Sequence, residues 1–191
     1  MGLLSMIAAA FGFGKKEARI LVIGLDNSGK TTIINYLKAK KGAPANISYE
    51  VTPTVGFQVE EFASNNIKFT VYDMSGQGRY RSLWEQYYED AQAIIYVLDS
   101  TDKLRICVAK EELWTLLGNE TIKSKNIPVL FFANKIDIPG SLTPDQSMDE
   151  LDLYKIRDKP WHIISSNALS GAGIQEGIKW LCEQVGKSGH K

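Results

Sequence analysis

The chain has 191 residues, 44% of them hydrophobic and 23% charged, the balance of one globular domain with a substantial core. Lys plus Arg number 22, as do Asp plus Glu, so no net field draws the whole molecule to nucleic acid and no nucleic-acid partner is expected. No run approaches the roughly 20 apolar residues of a spanning helix, and the N-terminal apolar stretch precedes its lysines, the reverse of a secretion signal, so a cytoplasmic protein is expected.

Residues 1–15 read as an arm set before a domain over 16–191. In MGLLSMIAAAFGFGKK, Leu3, Leu4, Ile7 and Phe11 share one helical stripe, with Phe13 and Lys15–Lys16 at its end. That is the pattern of an amphipathic helix lying on a membrane surface. Arg19–Gly24 (RILVIG) then reads as a buried strand and Lys30–Lys40 as a helix. Residues 41–56 form a long loop marked by Gly42, Pro44 and Pro53. Phe57–Ala63 and Ile67–Asp73 are two strands with a hairpin-like connection at Ser64-Asn65-Asn66. A short helix is expected over 79–89, and Ala93–Asp99 (AIIYVLD) is another buried strand.

Ile106, Ala109, Leu113, Leu116 and Leu117 repeat at the helical period. Pro128–Ala133 and Trp161–Ser165 are strands, and Gly173–Val185 is a last helix with Ile174, Ile178, Leu181 and Cys182 inward. Strands alternating with helices predict an α/β fold: a six-stranded, mostly parallel sheet with one antiparallel edge strand and helices on both faces. Cys107 and Cys182 fall in helical patterns without metal-ligand spacing and are expected as two reduced, buried thiols. Trp114, Trp161 and Trp180 are expected to pack, and His162 and His190 to carry no chemistry.

Ligands on such sheets bind beyond the carboxyl ends of the strands. Four polar clusters follow strands here: Gly24–Thr31, Asp73–Gln77, Asn134–Asp137 and Ser165–Leu169. The first, GLDNSGKT, matches G-x-x-x-x-G-K-[ST] between a strand and a helix. Gly24, Leu25, Asp26, Asn27, Ser28 and Gly29 can wrap backbone N–H groups around phosphate oxygens. Lys30 can reach the terminal phosphates and Thr31 can ligate Mg²⁺, with Thr32 beside it.

DMSGQG ends a strand on Asp73, which can hold a water on Mg²⁺. Gly76 lets its N–H approach a γ-phosphate closely, and Gln77 can orient the attacking water. Thr54, in PTVGF, can complete the Mg²⁺ shell, or simply lead into a strand. In NKID, Asp137 can accept from both N1–H and N2–H of guanine, donors that adenine does not offer there. Asn134 can bond the base's imidazole edge and the Lys135 stem can cover its face.

GLDNSGKTT, PTVGF, DMSGQG, NKID and the NAL before SGAG resemble the Ras-superfamily GTPases over residues 18–187. Gly2, the apolar arm and a C-terminus ending SGHK without a prenylatable Cys are similar to the Arf and Arf-like branch. DMSGQGRYR, LFFANK, DKPWHI and QEGIKWL are similar to a cilia-linked Arf-like subgroup. The resemblance implies the small-GTPase P-loop fold, GTP/GDP and Mg²⁺ as ligands, and nucleotide contacts from the residues named above, with Ala168 lending its N–H to the guanine oxygen. It implies an effector or coat complex on residues 48–57 and 74–87, where Phe57, Tyr72 and Tyr87 occupy the branch's aromatic patch. An exchange factor and a GTPase-activating protein are implied partners, and a reversibly membrane-associated or ciliary location follows.

Two departures are visible. The myristoylation pattern M-G-x-x-x-[ST] has Met6 at its last position and Ser5 one place early, so Gly2 is a lipidation candidate on a broken pattern. The loop over 41–52 has no match in the family pattern; Asp26 stands where Ras itself has glycine, as in the Arf branch generally. The reading is a slow GTP-hydrolysing switch that orders 48–56 and 74–86 when the γ-phosphate is present. A GTP-binding adaptor without turnover is the alternative, and an ATP-using P-loop kinase is disfavoured by Asp137.

Overall fold

The computed structural model describes residues 16–39 and 52–188. The arm over 1–15 with Gly2, most of the loop over 41–56, and His190 lie outside the described residues. Six strands form one sheet: β1 (Lys16–Ile23), β2 (Phe57–Ser64), β3 (Ile67–Met74), β4 (Ala93–Asp99), β5 (Val129–Asn134) and β6 (Trp161–Ser166). Their spatial order is β2-β3-β1-β4-β5-β6, and every neighbouring pair is parallel except β2 with β3. The long helices are α1 (Lys30–Ala39), α2 (Ile106–Gly118) and, after two short ones, α5 (Ile174–Ser188). The expected sheet, with its antiparallel edge, is the one observed.

Alternate residues of β1 supply two cores. Ile20 and Val22 join Ile33, Ile34 and Leu37 of α1 and Ile178 and Leu181 of α5 on one face. Leu21 and Ile23 join Leu113 and Leu116 of α2, with Tyr96 and Phe131, on the other. Both faces being covered explains why RILVI and AIIYVL read as continuous apolar runs rather than alternating ones. Each such side chain contributes about 1.5–3 kcal/mol on burial, so the two helical layers fix the sheet firmly. β2 has only one neighbour and most of its residues stay exposed or half-buried, as suits an edge.

Several boundaries differ from expectation. β1 begins at Lys16, three residues early, because β3 offers a parallel ladder from Lys16↔Ile67 onward regardless of the exposed Glu17 and Arg19 side chains. The hairpin loop is two residues, Asn65 and Asn66, both at positive φ (44° and 62°), while Ser64 still pairs with Ile67. Asparagine tolerates that conformation, which matches the twist of the strands. The segment expected as a helix over 79–89 is a 3₁₀ stretch, Gly78–Tyr87. It is drawn onto the sheet edge by the Trp84 indole, which donates to Ser75 O at 3.0 Å.

A helix at Pro144–Glu150 (α4) was unexpected, although Thr143 and Gln146 form a capping box that the sequence TPDQ displays. A single turn at Glu120–Lys123 (α3) was missed as well. Both cysteines are free, but Cys107 is exposed, correcting the expected pair of buried thiols; Cys182 is buried. Trp114 packs with its indole donating to Leu151 O at 2.9 Å, and Trp161 stands edge-on to Phe131. No helix among the described residues is long and apolar enough to cross a membrane.

Candidate functional site

β1 passes into α1 through Gly24–Gly29, and backbone conformation shapes that turn. Gly24, Asn27 and Gly29 have φ of 142°, 61° and 98°. Turns of this kind aim successive N–H groups into one concavity at a helix N-terminus, where an anion is favoured. Side chains are excluded at both glycines: a Cβ on Gly24 would lie 2.2 Å from Val97 O, and one on Gly29 2.2 Å from Asn134 Nδ2. The loop borders a cavity of about 340 Å³, lined by Asp26, Asn27, Lys30, Thr31 and Thr32 on one side and by Thr54, Gly76 and Gln77 on the other.

One buried charge, Lys30, lines this cavity, and a second, Asp73, lies behind Thr31. Lys30 Nζ donates to Gly24 O at 3.0 Å and Leu25 O at 2.8 Å. Burial lowers its pKa to about 8, against the pull of Asp73 and Asp26, which raise it. Asp73 is fully buried; its Oδ2 accepts from Thr31 Oγ1 at 2.6 Å, and its Oδ1 has no partner among the described residues. Burial raises the Asp73 pKa, opposed by the Thr31 hydrogen bond and the Lys30 charge. Thr31 Oγ1 and Thr54 Oγ1 lie 3.2 Å apart.

The three side chains assigned to Mg²⁺ from sequence therefore converge. Two hydroxyls and an unpaired carboxylate oxygen are hard donors, and the orphaned Oδ1 calls for a cation or a water held by one. These residues fit Mg²⁺. Among the described residues no group of three His, Cys, Asp or Glu could hold a metal unaided.

Gly76 is pressed onto the phosphate loop: a Cβ there would lie 2.2 Å from Asp26 N and 2.3 Å from Leu25 C. The sequence argument for a close backbone approach is met, but by protein backbone. Gln77 lines the cavity with its Oε1 accepting from Arg79 Nε at 3.1 Å and Nη2 at 2.9 Å. Arg81 donates to Gly76 O at 3.0 Å and to Glu112 Oε1 of α2 at 2.6 Å.

At the other end, Asn134 joins two loops. Its Nδ2 donates to Ser28 O at 2.8 Å, and its Oδ1 accepts from Ala168 N at 3.0 Å and Ser166 Oγ at 3.2 Å. The Ala168 N–H, expected on the guanine oxygen, is thus spent on Asn134, because the buried amide oxygen needs donors. Lys135, at φ 66°, places Nζ 2.6 Å from Asp99 Oδ2. Burial works against the Asp99 charge, but hydrogen bonds from Lys135 and Thr101 outweigh it and hold its pKa below the usual range. Asp99 was missed from sequence, although it ends β4 on the same rim. Asp137 is exposed beyond the Lys135 turn.

The model of the ADP-ribosylation factor family matches residues 3–185. The chain belongs to the ADP-ribosylation factor family. It is 53% identical over 186 residues to ADP-ribosylation factor-like protein 6 of Danio rerio, covering 97% of each chain. The protein of that name in Caenorhabditis elegans is 42% identical over 187 residues, 98% of this chain and 96% of that one. The structure of the Arl6 BBS3 small GTPase from Trypanosoma brucei with bound nucleotide analogue GppNp superposes at a TM-score of 0.82, with 42% identity over 90% of this chain and 99% of that one. This family member is a small GTPase, a GTP-binding switch that uses Mg²⁺ and works with effectors, exchange factors and activating proteins.

Asp73 has a testable consequence. Its folded pKa is raised, so the protonated form is the better folded; the stability it lends at low pH is lost as pH rises through that pKa. At neutral pH, Asp73→Asn is expected to raise the melting temperature of metal-free, nucleotide-free protein. The same change should speed nucleotide release in Mg²⁺, and melts in EDTA beside release kinetics in Mg²⁺ read both signs.

Proposed function

We propose that the site holds GTP with its phosphates on Gly24–Thr32 and its base against Asn134, Lys135 and Asp137. The observation that carries this is the meeting of Thr31, Thr54 and Asp73 beside a nest-shaped loop with Lys30 buried beneath it. Thr31, Thr54 and Asp73 would hold Mg²⁺, which would supply neutralisation of charge on the phosphate oxygens. Lys30 exchanges its two carbonyl partners for phosphate oxygens. The Gly76 N–H meets the γ-phosphate, and Gln77 orients the attacking water once Arg79 releases its carbonyl oxygen.

Guanine is selected by Asp137. Asn134 has a second amide hydrogen for the base, Ala168 fixes Asn134, and the Lys135 charge is anchored on Asp99 so that its stem is left for the base face.

The output surface is aromatic. Tyr87 lies 4.8 Å, ring to ring, from both Phe57 and Tyr72, and Phe57, Val55 and Val59 are exposed around them. Residues 48–57 and 74–87 present this patch to an effector or coat complex in the GTP state. The amphipathic arm over 1–15 carries the complex to a membrane, in place of or beside a lipid on Gly2. A cilium or its base is the setting, by the resemblance of the sequence and the likeness to ADP-ribosylation factor-like protein 6.

Titration calorimetry with GTP, GDP, ATP and XTP tests the site. Asp137→Asn is expected to weaken GTP by about 100-fold or more while strengthening xanthine nucleotide; an unchanged preference for GTP would sink the assignment. Gln77→Leu is expected to bind GTP normally and to lose about 100-fold of partner-stimulated hydrolysis, read by phosphate release. On liposomes, the GTP-loaded full chain should float, whereas the GDP-loaded chain and one lacking residues 2–13 should not. Equal flotation in both nucleotide states would remove the arm from the switch.

A further inference from the structure

The phosphate loop carries one acid, Asp26, and it lines the cavity meant for phosphate. An unopposed carboxylate there would repel the ligand. Arg105, in the β4–α2 connection, answers it. Its Nη1 donates to Asp26 Oδ1 at 2.9 Å and its Nη2 to Asp26 O at 3.3 Å, while Nε donates to Asp102 Oδ2 at 2.5 Å. Asp102 also accepts from the Arg105 backbone N–H at 3.2 Å on Oδ1, so the guanidinium is oriented from its own base. A planar fork held this way keeps its direction where a lysine would not.

The position of Asp26 along the cavity decides which phosphate feels it. Asp26 N is the atom nearest a Cβ built on Gly76, so the Asp26 backbone stands at the Gln77 end, with its carboxylate turned to Arg105. The base end is marked instead by Gly29, whose nearest neighbour is Asn134. Repulsion from Asp26 therefore falls chiefly on the terminal phosphate.

Building on the proposed nucleotide site, we infer that Arg105 is a positioning residue that sets the preference between GTP and GDP. It neutralises Asp26 and holds that carboxylate against the β4–α2 connection, so that a loop containing an acid accepts a third phosphate. The pair is partly exposed, Arg105 and Asp26 side chains retaining 36% and 44% of their surface, so the effect is modest and salt-sensitive.

The test is a double-mutant cycle read as a ratio. Dissociation constants for fluorescent GDP and a fluorescent non-hydrolysable GTP analogue are measured in Mg²⁺ for the parent chain, Arg105→Ala, Asp26→Asn and the double variant. Arg105→Ala is expected to weaken the GTP analogue relative to GDP by about three- to tenfold. Arg105→Lys should recover part of that ratio, and the double variant all of it, because no carboxylate remains to be neutralised. Should the alanine variant not fold, Arg105→Gln carries the same expectation. Equal weakening of both nucleotides, or the same loss in the Asp26→Asn background, would overturn the inference and leave Arg105 as a loop brace. Failure of the parent chain to bind either nucleotide would instead sink the site reading, and this inference with it.

Discussion

Two charged side chains, Lys30 and Asp73, are buried at the carboxyl edge of the sheet, and their mutual attraction compensates their burial only in part. Lys30 settles for two backbone carbonyls, and Asp73 keeps one oxygen without a partner. Burying an ion costs several kcal/mol when its partners are incomplete, a cost that a fold selected only for stability would avoid. The arrangement makes sense if anionic phosphate and a divalent cation complete it. Stability is then lent by the ligand, in proportion to the logarithm of its concentration over its dissociation constant.

The rest of the rim is tied to those two charges through backbone. Gly76 abuts the phosphate loop with no room for a side chain, so any shift of the 74–77 segment is felt at Leu25 and Asp26. The same segment is gripped from outside by the Trp84 indole on Ser75 O and by Arg81, which also reaches Glu112 on α2. Tyr87, at the end of that 3₁₀ stretch, contributes to the exposed aromatic patch. A change at the glycine loop thus has a short physical route to the exposed aromatic surface. Coupling of this sort requires an element with two arrangements, and the 3₁₀ stretch, which buries Trp84 alone in the core and leaves its other residues half-buried or exposed, is suited to be one.

Asn134 performs the corresponding task at the base end. One buried amide links the phosphate loop at Ser28 to the loop at Ser166 and Ala168. The positions of the two loops are therefore not independent. Loss of either loop's position leaves the other with unpaired buried polar atoms.

Much of this was legible in the sequence, because the features concerned are local. The strand-to-helix glycine loop, the acid at the end of β3, the N-K-x-D turn and the alternation of apolar runs each depend on neighbours within a few residues, where side-chain chemistry and backbone conformation are decided together. Fold class and ligand class followed from them. Tertiary structure decided what depends on residues far apart in the chain. The early start of β1 came from the ladder offered by β3, and the 3₁₀ form of 78–87 from a tryptophan bond to the strand end. The engagement of Ala168 with Asn134, the anchoring of Lys135 by Asp99 and the grip of Arg105 on Asp26 span 34, 36 and 79 positions. Periodicity and motif spacing carry no record of such pairs, since a side chain finds its partner only after the sheet has brought the strand ends together.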